Sequence, residues 1–341
     1  MPPRAPSLIL KEEVIPYLTF SLQDLLCRLP TELKDNLLEI RLRVGRPVML
    51  VFSDMDMVLP GSSSLSRPEM EQCMQLITQS SVYAREEELR QGFITLPGGH
   101  RVGLVGKAVL EDGRIRTLKN ISSLNIRLAR QVVGAADKVV SYLVQDGSFI
   151  STLLVSPPGC GKTTLLRDLI RQLSSGIPKL NLKGHKIAVV DERSEIAACY
   201  QGMPQNDVGP RTDVLDGAKK AEGIMLVLRS MSPEIIATDE IGSSADVVAL
   251  EEALVSGVRL VATAHGDGPD DLQERPVLRE LLKHGLFGRI VFLSMAKGPG
   301  TIEAVFNGQD LKPMFIEHLS IGGGRHDIKT SRCLNTDICY G

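Results

Sequence analysis

The chain has 341 residues, 43% of them hydrophobic, and this combination predicts a globular protein of two or three domains with proper cores. The 39 lysines and arginines nearly balance the 41 aspartates and glutamates, leaving a net charge of -2, so no strong field draws the chain to DNA, RNA or anionic lipid. This balance argues against nucleic acid as the main partner. No apolar run approaches the ~18 to 20 residues of a spanning helix, and the first residues lack the apolar region of a signal peptide. We therefore expect a cytoplasmic protein.

Residues 1–130 predict a small N-terminal α+β domain. Helical patterns cover 21–29 and 31–38, and a third begins at Ser66, which precedes a proline-containing first turn. Residues 40–44 alternate apolar and basic side chains, Gly-Arg-Pro turns the chain, and the apolar residues 48–52 return, which predicts a hairpin with one basic face. Three further strand patterns lie at 93–96, 101–107 and 124–128.

Four arginines lie on these strand patterns, namely Arg41, Arg43, Arg101 and Arg127. A solvated basic face is the simpler interpretation for any one of them. The alternative is that one or two reach a nucleotide bound to the following domain and add positive charge at its leaving phosphate. The sequence alone does not choose among the four.

Strand and helix patterns alternate over 131–310, which is typical of an α/β domain whose parallel sheet is covered on both faces. Strands are predicted at 152–155, 187–190, 234–238 and 260–264. Residues 290–293 and 301–306 predict a closing antiparallel pair, whereas 201–216, rich in Gly, Pro and Asp, predict a surface loop. The tail over 311–341 has little patterning, and we expect it to be poorly ordered.

The segment 156–164, Ser-Pro-Pro-Gly-Cys-Gly-Lys-Thr-Thr, lies between the first of these strands and an amphipathic helix. A triphosphate requires several inward-facing backbone N–H groups and the positive end of a helix dipole. Gly159 and Gly161 permit the necessary turn, Lys162 would reach the outer phosphates, and Thr163 would ligate Mg²⁺. The segment therefore predicts a phosphate-binding loop for ATP, formed by Pro157, Pro158, Gly159, Cys160, Gly161, Lys162, Thr163 and Thr164.

One position departs from the usual pattern of such loops, which has glycine where this chain has Ser156. A Gly/Pro turn that binds nothing is the alternative interpretation. The strand before the segment and the helix after it favour the binding loop. We expect Ser156→Gly to leave ATP binding unchanged or tighter.

Charged or titratable residues also follow three later strands, as Asp191-Glu192, Asp239-Glu240 and His265. Ligands of a doubly wound sheet bind outside the carboxyl ends of its strands. Asp239 is placed to hold Mg²⁺ directly or through water, and Glu240 to polarise the attacking water as a general base. Alone, each signal is weak, because acidic residues also begin solvated loops and a lone histidine is more often structural. As a functional residue, His265 would sense the outer phosphate.

The six cysteines form no Cys-x-x-Cys pair, so we interpret them as thiols in a reducing compartment. Cys333 and Cys339 are the closest pair in sequence, and an unordered tail explains them better than zinc. The other histidines show no metal-ligand spacing, and we interpret them as structural or exposed: His100, His185, His284, His318 and His326.

Four segments, in this order, resemble the stage III sporulation protein AA family, which is similar to the type II/IV secretion and pilus-motor ATPases. They are PPGCGKTT at 157–164, VVDERSEI at 189–196, IIATDEIG at 235–242 and ATAHG at 262–266. The resemblance covers about residues 10 to 310 and implies a RecA-like P-loop ATPase core with a smaller N-terminal domain that closes over the bound nucleotide. It assigns catalytic roles to Lys162, Glu192 of an "Asp box", Glu240 and His265 of a "His box", and assigns Mg²⁺ to Thr163 and Asp239.

The resemblance further implies a homo-oligomeric, hexameric ring on the mother-cell side, cytoplasmic and peripheral to the membrane. Its partners would be the integral-membrane sporulation channel components between mother cell and forespore. Two alternatives stay open: a nucleotide-dependent assembly scaffold with little turnover, and a nucleic-acid-remodelling ATPase that uses the basic hairpin face at Arg41 and Arg43. Residues beyond 311 match no part of the family pattern.

Overall fold

The computed structural model describes residues 5–79, 86–269 and 271–316, which form a six-stranded sheet, an eight-stranded sheet and a two-stranded ribbon. Elements up to residue 127 build the first sheet and its helices. In chain order they are α1 (Pro6–Ile9), α2 (Phe20–Cys27), α3 (Thr31–Asn36), β1 (Glu39–Arg43), β2 (Met49–Val51), β3 (Asp56–Val58), α4 (Arg67–Thr78), α5 (Glu86–Gln91), β4 (Phe93–Thr95), β5 (Arg101–Glu111) and β6 (Arg114–Arg127).

The six-stranded sheet is antiparallel with the strand order β3-β2-β1-β6-β5-β4. The predicted hairpin is confirmed, with Ile40 opposite Leu50, and both side chains are buried because the period of two places them on the core face. Helix α4 starts with a capping box in which Ser66 and Glu69 bond each other's backbone N–H groups. The buried residues of these elements form one hydrophobic core.

The second group of elements begins at residue 140 and alternates strands with helices. In chain order they are α6 (Val140–Leu143), β7 (Val144–Gln145), β8 (Ser148–Phe149), β9 (Thr152–Ser156), α7 (Lys162–Ser175), β10 (Ile187–Asp191), β11 (Thr212–Asp216), α8 (Lys220–Ser230), β12 (Ile235–Thr238), α9 (Ser244–Val255), β13 (Arg259–His265), α10 (Asp271–Glu274), α11 (Pro276–Lys283), β14 (Arg289–Ser294), β15 (Thr301–Asn307) and β16 (Pro313–Ile316).

The eight-stranded sheet has the order β11-β10-β12-β13-β9-β14-β15-β16, parallel from β11 to β14 and antiparallel beyond it. Strands β9, β10 and β12 are buried along their whole length, as apolar runs covered on both faces should be. Apolar side chains of α6 and α7 pack on one face, and those of α8, α9 and α11 on the other. The predicted parallel strands and the closing pair β14–β15 are confirmed.

Two loop predictions are wrong in part. The last residues of the predicted surface loop 201–216 form β11, which adds a parallel edge strand to β10, because Val214 and Leu215 pack there while aspartates at both ends hide the strand signal. In the predicted poorly ordered tail, residues 313–316 form β16 against β15. The rest of the tail, with His318, His326, Cys333 and Cys339, lies outside the described residues.

The four cysteines that the structure describes are free thiols, as predicted: Cys27, Cys73, Cys160 and Cys199. Each described histidine outside the candidate site lies beside a glutamate, in the pairs His100–Glu13, His185–Glu234 and His284–Glu251. Over the described ranges, no helix combines the length and apolar character that a membrane crossing requires.

Candidate active site

The loop after β9 turns tightly at two glycines. Gly159 and Gly161 have φ of 78° and 85°, in the left-handed region that favours glycine. A Cβ atom at Gly161 would lie 2.9 Å from the backbone nitrogen of Gly300, whose N–H donates to the Cys160 carbonyl at 2.8 Å. Position 161 is therefore restricted to glycine both by its φ and by the adjacent β14–β15 turn.

The Lys162 ammonium group lies inside this loop. It donates to the Ser156 carbonyl at 2.8 Å and to the Pro157 carbonyl at 3.0 Å. Its Nζ atom also lies 3.3 Å from Nδ1 of His265. Burial lowers the pKa of Lys162, although the negative charge of Glu240 opposes this shift. Thr163 and Thr164 follow in the first turn of α7, where unpaired N–H groups and the helix dipole favour an anion.

Ser156 fits inside the loop in place of the usual glycine. Its side chain is buried, and its hydroxyl donates to the Pro157 carbonyl at 2.8 Å. The same oxygen accepts from Lys162 at 3.2 Å. The serine therefore adds one acceptor for the lysine and joins the loop's own hydrogen bonds.

His265, at the end of β13, connects Lys162 with Glu240. Its Nε2 atom lies 3.0 Å from Oε1 of Glu240, while Nδ1 faces Lys162. A lysine ammonium can only donate, so Nδ1 accepts and the ring proton lies on Nε2, where it is donated to Glu240. The structure thus brings three predicted residues, from the first, third and fourth of the quoted segments, into one chain of contacts.

Glu240 follows β12 in a left-handed backbone conformation, with φ of 37°. Such a conformation costs a non-glycine residue about 1–2 kcal/mol, and the Glu240 N–H group is held by a 2.7 Å hydrogen bond to the Thr263 hydroxyl. Arg193 lies 3.9 Å from the second carboxylate oxygen. Strand β13 therefore fixes both the backbone and the side chain of Glu240, through Thr263 and His265.

Asp239 is 2% exposed, and its Oδ1 atom lies 3.8 Å from the ammonium nitrogen of Lys220. That oxygen has no hydrogen-bond partner among the described residues. Burial raises the pKa of Asp239 to about 6, and Lys220 opposes the rise. A buried carboxylate oxygen without a donor suits a hard cation with oxygen ligands, so Asp239 fits Mg²⁺.

The two acidic residues at the end of β10, Asp191 and Glu192, differ in their surroundings. Asp191 is fully buried and accepts N–H groups from Glu195, Ile196 and Ala197 at 2.8, 3.0 and 2.9 Å, so it holds the following turn together. Glu192 is partly exposed, and its carboxylate accepts from Lys220 at 2.6 Å. Glu192 is linked to Asp239 through Lys220, whereas the negative charge of Asp191 acts on Asp239 directly and adds to the rise of its pKa.

Sequence reasoning missed Lys220, Arg193 and Thr263 as parts of this site. Arg193 and Thr263 lie within the quoted segments 189–196 and 262–266, but an arginine in an acidic loop, a threonine within an apolar strand and a lysine at the start of a helix do not by themselves indicate a role in the site. Only the parallel register of β10, β12 and β13 brings them to one edge of the sheet.

Of the four arginines on the first sheet, Arg101 forms an ion pair with the turn at the end of β10. Nη1 of Arg101 lies 3.3 Å from the Glu195 carboxylate, and the guanidinium stacks 3.5 Å above the Phe93 ring centroid. Arg41 instead pairs with Glu39 on its own strand, at 2.9 Å. Arg127 is directly opposite Arg101 in the β5–β6 register.

Comparison with known sequences identifies the relatives of this chain. A sequence model described as "Sporulation stage III, protein AA" matches residues 10–312. The "Stage III sporulation protein AA" of Bacillus subtilis (strain 168) is 43% identical over 295 residues, which are 86% of this chain and 94% of the relative. "Protein SEEDLING PLASTID DEVELOPMENT 1" of Arabidopsis thaliana is 30% identical over 175 residues, 50% of this chain and 24% of the relative.

Solved structures share the fold. The ATPase DotB of Yersinia pseudotuberculosis has a TM-score of 0.55 at 15% identity, covering 86% of this chain and 81% of that one. The pilus retraction motor PilT, solved with bound ADP, has a TM-score of 0.50 at 13% identity, covering 75% and 74%. The predicted fold class, an α/β RecA-like core of the secretion-ATPase type, is confirmed. The matching sequence model and the Bacillus subtilis relative show the family: the chain belongs to the family of sporulation stage III, protein AA.

Proposed function

We propose that this chain is an ATP-hydrolysing, Mg²⁺-dependent enzyme that works as a hexameric ring. The observation that carries the proposal is the contact chain Lys162–His265–Glu240 at the carboxyl ends of the neighbouring strands β9, β13 and β12. A phosphate-binding lysine, a histidine and an acidic residue that are aligned in this way are suited to hydrolysis of a bound triphosphate.

Each residue has a distinct role in this proposal. Lys162 exchanges its contacts with the loop carbonyls for the outer phosphates when nucleotide binds, and the N-terminal turn of α7 holds the phosphate oxygens. Thr163 and Asp239 would hold Mg²⁺, which would supply positive charge next to the phosphates. Glu240 orients and polarises the attacking water as general base.

His265 couples the phosphate side of the site to the acidic side. When Lys162 moves to the nucleotide, Nδ1 of His265 loses its donor, and the bond from Nε2 to Glu240 is free to change. Phosphate release reverses the exchange. Glu192 is the fourth residue with a proposed catalytic role. Its carboxylate breaks its hydrogen bond with Lys220 when it contacts the nucleotide.

We infer that Arg101 is the arginine of the N-terminal domain that adds positive charge near the nucleotide. Its ion pair with Glu195 supports this choice, because Glu195 belongs to the turn that Asp191 holds at the carboxyl end of β10. Arg101→Ala should slow hydrolysis, whereas the matched variant Arg41→Ala should not, because Arg41 is paired on its own strand. Equal rates for the two variants would remove Arg101 from the mechanism.

We further propose a domain division between residues 130 and 131, with β16 as part of the second domain, which the separate hydrophobic cores of the two sheets support. The name of the Bacillus subtilis relative supports a role in sporulation. In that role the ring is cytoplasmic and peripheral to the mother-cell membrane. It powers or assembles a secretion-like channel between mother cell and forespore, together with integral-membrane channel components.

Phosphate release by the purified chain with Mg²⁺ and ATP tests the proposal. Lys162→Ala and Glu240→Gln should abolish it, whereas the exposed positions Lys179→Ala and Glu252→Gln serve as matched controls and should leave it unchanged. Activity that survives both site substitutions contradicts the proposal. Equal assembly with ATP and a non-hydrolysable analogue, without turnover, would favour the scaffold, and stimulation by nucleic acid at low salt would favour the remodelling ATPase.

A further inference from the structure

Lys220, the first residue of α8, lies between the acidic residues that follow β10 and β12. Its side chain is only 9% exposed, and Nζ is 2.6 Å from the Glu192 carboxylate. The same atom is 3.8 Å from Oδ1 of Asp239. A buried ammonium group is costly unless it is paired, so its location between two carboxylates indicates an electrostatic role.

The two contacts of Lys220 are unequal. Toward Glu192 the ammonium group makes a short, charge-assisted hydrogen bond. Toward Asp239 the separation exceeds hydrogen-bond distance, and Oδ1 has no donor among the described residues. Lys220 therefore offsets the charge of Asp239 without occupying the oxygen that a metal ion would use.

We propose that Lys220 is the internal counter-ion of the metal site, which balances Asp239 and Glu192 before Mg²⁺ binds and then competes with Mg²⁺ for their negative charge. This inference rests on the proposed function, in which Asp239 holds Mg²⁺. Removal of the ammonium group leaves the carboxylates unbalanced, so the metal-free protein becomes less stable and the site attracts a divalent cation more strongly.

A matched pair of lysines makes the test specific. Lys219, the preceding residue, is exposed, so Lys219→Met makes the same chemical change outside the cluster. Lys220→Met removes the charge, Lys220→Gln removes it but keeps an amide donor for Glu192, and Lys220→Arg keeps the charge. The glutamine variant secures the test if the methionine variant does not fold.

The full chain is titrated with Mg²⁺ at pH 8.5 in the presence of a fluorescent ADP, and its urea unfolding midpoint is measured with and without Mg²⁺. Lys220→Met and Lys220→Gln should lower the half-saturating Mg²⁺ concentration by about tenfold. They should also lower the metal-free unfolding midpoint, which added Mg²⁺ recovers. ADP affinity in EDTA should stay within about twofold of the parent, and Lys220→Arg and Lys219→Met should resemble the parent.

Two results would overturn the proposal. A lower unfolding midpoint with an unchanged Mg²⁺ requirement would make Lys220 a structural residue only. Loss of ADP affinity in EDTA would make it a phosphate ligand. Failure of the proposed function would give a result different from these two: the parent chain would bind ADP without any response to Mg²⁺. In an Asp239→Asn background, Lys220→Met should no longer change the Mg²⁺ titration.

Discussion

Replacement of Asp239 by asparagine should make the metal-free protein more stable at pH 8, although it removes a proposed Mg²⁺ ligand. The carboxyl group is 2% exposed, and Oδ1 has no hydrogen-bond donor among the described residues. At pH 8 the native protein must hold this group ionised in a poor environment for charge. Asparagine has nearly the same shape and no charge. Lys220 keeps its bond to Glu192 in the variant.

The magnitude follows from the pKa of Asp239, which burial raises from 3.8 to about 6. A folded-state pKa above the unfolded value means that the native protein binds more protons between these pH values, so stability falls as the pH rises from about 4 to about 6. Two pKa units correspond to about 3 kcal/mol. Asp239→Asn should therefore gain up to about 3 kcal/mol at pH 8 and close to nothing at pH 4.

Urea denaturation of both proteins at pH 8 and at pH 4, without nucleotide or metal, measures the difference. Asp213→Asn on the exposed face of β11 is the matched control and should change the free energy of unfolding by less than ~0.5 kcal/mol at either pH. If Asp239→Asn is no more stable than the parent at pH 8, or if its gain does not depend on pH, the account of a buried carboxylate whose charge Lys220 offsets only in part is wrong.

Three further substitutions test the phosphate-binding loop and its strand. Gly161→Ala should lower the free energy of unfolding by at least ~1–2 kcal/mol in urea denaturation and weaken nucleotide binding, because φ is 85° and the new Cβ would lie 2.9 Å from the Gly300 nitrogen. Ser156→Gly should leave ATP affinity unchanged or tighter in a binding titration, because Lys162 keeps its carbonyl acceptors. Leu154→Ala should cost about 2–5 kcal/mol in denaturant unfolding, because the side chain is fully buried in β9. Two matched variants should lose less stability. They are Gly159→Ala, whose new Cβ meets nothing within 4 Å, and Leu226→Ala, whose side chain is half-exposed. A marked loss of ATP affinity in Ser156→Gly would contradict the account of the loop. Equal losses of stability in Gly161→Ala and Gly159→Ala, or in Leu154→Ala and Leu226→Ala, would contradict the arguments from contacts.

Most of the parallel sheet could be predicted, because its strands are apolar runs with sharp ends. Residues 152–155 and 187–190 are buried on both faces and read as strands without any tertiary information. Strands β11 and β16 could not be predicted in this way. They lie at the two edges of the sheet, where one side of the backbone has a partner; β11 contains two aspartates, and β16 is only four residues long and begins with proline.

In the candidate site, the sequence motifs predict which residues come together but not the contacts that their side chains make. Lys162, Glu240 and His265 follow apolar strands, so the parallel order of the sheet predicts that they meet. The sequence does not indicate that His265 lies between the other two, nor that Lys220 reaches both Glu192 and Asp239, because these distances depend on side chains from separate elements. For the same reason Arg101 could not be distinguished from Arg41 before its contact with Glu195 was known.

The turn between β14 and β15 has a consequence for nucleotide affinity. Gly300 donates to the Cys160 carbonyl and packs against Gly161, so a segment more than a hundred residues away restrains the phosphate-binding loop from behind. The conformational entropy of ordering that loop is therefore lost when the sheet closes, and less remains to be lost when a phosphate arrives. Residues 298–300 belong to none of the four motif segments, yet they help to preorganise this loop for binding.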